Sequence, residues 1–96
     1  MYVGTLDIDL LLDAHSLKEK RSVLRPVLAD LRRRYAVAAA EADHLDLLRR
    51  AGIGVATVAA DPGQVRVVLD ACERHVAGLP HVQVLATRTR TYGPHD

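Results

Sequence analysis

The chain has 96 residues and a mass of 10.5 kDa, which surface scaling converts to roughly 5,400 Å² of folded surface, room for one modest core and too little for a two-domain enzyme with a cleft between domains. Hydrophobic residues make up 49% and charged residues 26%, a globular balance that excludes disorder. No run of eighteen apolar residues is present to span a membrane, and the single Cys72 excludes an internal disulfide and a cysteine-based zinc finger.

Residues 2–12 alternate, with Leu6, Ile8, Leu10 and Leu12 on one parity and Thr5, Asp7 and Asp9 on the other. This predicts a strand with one buried face. The acids inside this apolar run, with no basic segment before it, do not fit a signal peptide, and the lone Cys72 makes the cytoplasm the expected compartment. Ser16-Leu17-Lys18-Glu19 reads as a capping box, in which Ser16 takes the Glu19 N–H and Glu19 returns to the Ser16 N–H. Leu17, Leu24, Leu28, Leu31 and Tyr35 follow at helical spacing. Pro26 lies inside this pattern, where it removes a hydrogen bond at a cost of ~3 kcal/mol. The unbroken phase of the stripe predicts a kinked helix over 17–34, with a delayed start near Ser22 as the alternative.

Residues 36–43 predict a second strand, 44–50 a connection, and 52–60 a third strand that is apolar on both faces. Asp61, Pro62 and Gln64 open a second helix over 62–77, with Val65, Val68, Leu69, Cys72 and Val76 as its apolar stripe and Gly78 and Pro80 as its stop. Residues 82–92 predict an edge strand, and 93–96 a tail beyond a single domain at 1–92. The order β-α-β-β-α-β predicts an α+β ferredoxin-like sandwich, with a four-stranded antiparallel sheet and two helices on one face.

Three segments now carry a resemblance. S-L-K-E-K-R at 16–21, A-E-A-D-H-L-D-L at 40–47 and G-I-G-V-A at 52–56 resemble the YlxP-like family of bacterial proteins, a domain of unknown function. The similarity runs from Tyr2 to about Tyr92. It implies a ferredoxin-like fold in the bacterial cytoplasm. The family's genes often lie near that of ribosome-binding factor A, which implies ribosome or RNA work without implying a reaction. Pro26 departs from the family's usual unbroken helix.

Net charge is only +1, but residues 16–35 hold seven Lys and Arg against Glu19 and Asp30, a local +5 that leaves −4 for the other 76 residues. Lys18, Arg21, Arg25 and Arg32 fall within about 60° of helical arc. Lys18, Lys20 and Arg21 also crowd the first turn, where the helix dipole disfavours cations. The expectation is an anion or nucleic-acid site of Lys18, Lys20, Arg21, Arg25 and Arg32, docking RNA or a ribosomal particle. A solvated, solubilising face is the competing account. A homo-oligomeric module binding a protein or a small ligand, with no nucleic-acid role, is the alternative function.

Glu41, Asp43, His44 and Asp46 form a second cluster, which could offer oxygen and imidazole ligands to a divalent metal or a general base. No second histidine stands at ligand spacing, and no nucleophile or phosphate loop accompanies the cluster. The preferred expectation is that Asp43 and Asp46 cap the turn and His44 bonds a carboxylate. No catalysis, metal or cofactor is expected. The other sheet face, with Val3, Leu11, Leu85 and either Ile53 and Val55 or Gly54, Ala56 and Val58 as candidates, carries apolar surface that a homodimer would cover. Asp7 and Asp9 would then need partners.

Overall fold

The computed structural model describes residues 1–95. The elements are β1 (Tyr2–Leu12), α1 (Leu17–Tyr35), β2 (Ala38–Asp43), β3 (Arg50–Ala59), α2 (Pro62–Ala77) and β4 (Val82–Tyr92). The sheet order is β2-β3-β1-β4 with every neighbouring pair antiparallel. This is the expected ferredoxin-like α+β fold. The shape is elongated, 44 × 23 × 18 Å, and the surface of 5951 Å² exceeds the compact-sphere expectation accordingly.

One aliphatic core lies between sheet and helices. Leu6, Ile8, Leu10 and Leu12 of β1 and Ala51, Ile53 and Val55 of β3 meet Leu24, Val27 and Leu31 of α1 and Val65, Leu69, Cys72 and Val76 of α2. Each fully buried Leu or Ile contributes about 1.5–3 kcal/mol. Gly4 lets α2 approach β1: a Cβ there would run into Val65 Cγ1 and come within 2.8 Å of Leu69 Cδ1. Ile53 and Val55 therefore face the helices, and the outer face of β3 carries Arg50, Gly52, Gly54, Ala56 and Val58. Of the two sets of residues that could form the outer face, it is Gly54, Ala56 and Val58, so that face is small-residued along most of β3 and apolar at Val58.

Both helix starts are capped. Asp61 Oδ1 accepts from Gln64 N at 3.0 Å, and Ser16 Oγ accepts from Glu19 N at 3.1 Å. The Glu19 carboxylate takes the His15 N–H at 2.6 Å, one residue earlier than a standard box. α1 runs through Pro26 as a single helix, held by the burial of Leu24, Val27 and Leu31 on either side. It ends at Ala36, whose left-handed backbone (φ 52°, ψ 44°) delays β2 to Ala38. β3 starts at Arg50, earlier than expected, because Arg50 pairs with Leu11 of β1.

No helix among the described residues is long and apolar enough to cross a membrane. Of the tail, Gly93 is half-buried and Asp96 lies outside the described residues.

Candidate functional site

The basic segment divides into structural and free cations. The buried stripe of α1 is Lys20, Leu24, Val27 and Leu31, while Leu17 is 46% exposed. Lys20 is thus a core residue, 2% exposed, which corrects its expected place in the anion site. Its ammonium donates to the carbonyls of His44 (2.8 Å) and Leu47 (2.6 Å) and pairs with Glu41 Oε2 at 2.7 Å. Two carbonyls accept from the ammonium and the Glu41 carboxylate lies against it as an ion pair, so the buried charge is enclosed and compensated. The spacing 20-24-27-31 carried this signal, and the lysine's charge obscured it.

Arg32 is the second correction. Its Nε and a terminal nitrogen both donate to Ala39 O, at 2.9 and 2.6 Å, tying α1 to the edge strand β2. Arg33 is held by Asp30 at 2.8 Å. Lys18, Arg21, Arg25 and Arg34 remain, all exposed, with no internal acceptor among the described residues. The i, i+3, i+7 spacing of Lys18, Arg21 and Arg25 puts these three on one side of α1, and Arg34 lies about half a turn away on the other side.

The acidic cluster does not converge. Glu41 turns to the helix side to meet Lys20, and Asp46 is exposed in the turn, which closes through Leu47 N to His44 O at 3.0 Å. Asp43 and His44 turn to the outer sheet face. Asp43 Oδ1 accepts the His44 N–H at 2.8 Å, and His44 takes a left-handed backbone, φ 58°. Its Nε2 then faces Asp9 Oδ1 on β1 at 3.4 Å. Asp9 Oδ2 also accepts from Arg50 of β3. Asp9 is therefore bonded to Arg50 and lies beside His44, a grouping set by strand order and invisible in the spacing.

Gly52 makes this grouping possible, because a Cβ there would lie 2.7 Å from Asp43 Cβ. Asp43 leans over β3 at an irregularity in the β2–β3 pairing. A cavity of about 500 Å³ opens beside the group, reaching Asp7 and Arg88. No described residues assemble three or more metal-ligating side chains. Cys72 is fully buried, and burial pushes its thiol above the ordinary 9.0.

The molecule is a ferredoxin-like α+β protein with a free basic helix face and a carboxylate–imidazole–guanidinium group on the opposite side. The family model for DUF503, a protein of unknown function, matches residues 3–89. The chain belongs to the DUF503 family. It is also similar to the uncharacterized protein YlxP of Bacillus subtilis (strain 168), 29% identical over 83 residues, covering 86% of this chain and 90% of that protein.

Proposed function

We propose that the protein is a non-catalytic RNA-binding protein that docks on phosphates, of free RNA or a ribosomal particle, through the outer side of α1. The observation that carries this reading is the division of the α1 cations. Lys20, Arg32 and Arg33 each serve an internal acceptor, whereas Lys18, Arg21 and Arg25 share one exposed side with none, and Arg34 stands alone on the other side of the helix. Cations left without partners on one rigid helix form a ready contact for a repeating row of phosphates. Aromatic stacking contributes little, since Tyr92 is the one exposed aromatic among the described residues. A pull-down of the full chain from native lysate, with and without RNase, tests this directly. Recovery of ribosomal RNA that RNase abolishes supports the reading, and RNase-insensitive or absent recovery opposes it.

The same protein closes its outer sheet face with a second copy. Val3, Val58 and Tyr92 lie side by side across β3, β1 and β4. This contiguous apolar row supports association. Sedimentation equilibrium giving a monomer at micromolar concentration removes this part.

A further inference from the structure

The outer sheet face sorts its side chains by size. Strand order and register set them in rows, read from β2 across β3 and β1 to β4. One row is Ala38, Ala56, Thr5 and Arg90, and the next is Ala40, Gly54, Asp7 and Arg88. In both, the β2–β3 half is small and the β1–β4 half is larger. The third row is Asp43, Gly52, Asp9 and Ala86. Its middle pair keeps the same order, but its ends are exchanged: β2 carries a larger residue in the row where β4 carries alanine.

Gly52 has a reason within the chain, since Asp43 leans over it. Ala38 and Ala40 are exposed on an edge strand, for which alanine is a poor former. The small half is hollow. A cavity of about 310 Å³ over Ala38, Ala40, Gly54 and Ala56 reaches Asp7, which also lines the cavity of about 500 Å³ beside Asp43. Arg88 and Arg90 stand exposed at the opposite edge, with no ion pair among the described residues.

We propose that this face is complementary to itself and takes a second copy of the chain about a twofold axis that runs parallel to the strands, between β3 and β1. This orientation rests on the dimerisation proposed above. Such an axis lays β4 of each copy over β2 of the other, and β1 over β3. Arg88 then meets Ala40 of the second copy, Arg90 meets Ala38, and Asp7 meets Gly54. In the third row Ala86 meets Asp43, so the exchanged ends fit as well. Val3 covers Val58 of the second copy at the end of the face. Asp7 keeps Arg88 of its own β4 beside it as a counter-charge when the face closes. A twofold across the strands would instead stack β4 on β4 and crowd the arginines of both copies together. With strands of 6 to 11 residues, at about 3.3 Å per residue and about 4.8 Å apart, the face covers ~600 Å² per copy. The total of ~1,200 Å² reaches the lower bound of a stable interface.

The test exchanges the two sizes in the full-length chain and reads the dimer constant by sedimentation equilibrium. Ala40→Arg sets arginine against arginine and is expected to weaken the dimer about tenfold or more. Arg88→Ala alone strips Asp7 of its counter-charge and is also expected to weaken it. Together the two rebuild the pair with its sizes exchanged, and association is expected to return to within about threefold of the wild type. Arg88→Ala thus acts in opposite directions in the two backgrounds, which a change of net charge would not produce. Residues 40 and 88 stand three strands apart in one copy, about 14 Å, so the rescue cannot arise within a chain. If Ala40→Arg disturbs folding in thermal melts, Ala38→Arg with Arg90→Ala makes the same exchange one row along. A dimer indifferent to Ala40→Arg, or an Ala40→Arg dimer that Arg88→Ala fails to strengthen, overturns the orientation and leaves dimerisation standing. A wild-type monomer at micromolar concentration removes both.

Discussion

Lys20→Met keeps the long apolar stem inside the core and removes only the ammonium. Glu41 and the carbonyls of His44 and Leu47 then lose their donor together. Breaking a buried ion pair from one side costs about 3–5 kcal/mol. The Glu41 side chain is 21% exposed and can recruit water, so the lower end applies, about 3 kcal/mol. A domain of this size is stable by only ~5–15 kcal/mol in total. At about 4–8 °C per kcal/mol, the melting temperature falls by roughly 12–24 °C. Thermal melts followed by circular dichroism read this directly. Adding Glu41→Gln removes the stranded carboxylate and recovers part of the loss, which a double-mutant cycle quantifies. Amide exchange at Leu47, whose N–H closes the 44–47 turn, should accelerate in Lys20→Met as the tether is lost. A loss under about 1 kcal/mol, together with RNA binding weakened as much as by Arg21→Glu, would refute this reasoning and return Lys20 to the phosphate row.

Gly4→Ala forces a methyl into Val65, a branched side chain with little room to yield, and urea titration should show a loss of about 1–3 kcal/mol. Ala36→Gly relieves the left-handed backbone at the end of α1, and the same titration should show a gain of about 0.5–1 kcal/mol once the added freedom of the unfolded chain is offset. Cys72 should react with a thiol reagent far more slowly in the native protein than in urea. Because its folded thiol titrates above 9.0, its contribution to stability is full below that pH. It fades as pH rises past 9.0 and the unfolded thiol ionises first, so stability measured at rising alkaline pH should fall more in the wild type than in Cys72→Ala.

The fold was legible because its signals are local. Two side-chain caps, at Ser16 and Asp61, and the period-two run of β1 mark elements without knowledge of what packs on them. The register of β3 was not legible, since a strand reading G-I-G-V-A is compatible with either face, and only the packing of Ile53 and Val55 under the helices decides it. The site divides the same way. Lys18, Arg21 and Arg25 follow from helical angle alone. The burial of Lys20 follows the 20-24-27-31 stripe, but its partners depend on a turn 24 residues away that presents two carbonyls to it. The meeting of Asp9, His44 and Arg50 depends on strand order and on the glycine between them.

The central claim is that the outer side of α1 contacts phosphates through Lys18, Arg21 and Arg25, and salt dependence tests it most directly. Each phosphate neutralised on a single strand adds about −0.7 to the slope of log K against log salt, so three contacts give about −2. Fluorescence anisotropy with a labelled single-stranded RNA should return that slope for the wild type, with little dependence on base sequence. Arg21→Glu with Arg25→Glu should flatten the slope toward about −0.7 and weaken binding at least tenfold, which is ~1.4 kcal/mol. The matched reversal on α2, Arg66→Glu with Arg74→Glu, should leave the slope near that of the wild type. Equal weakening by the two reversals, or no RNA binding by the wild type at low salt, would contradict the account.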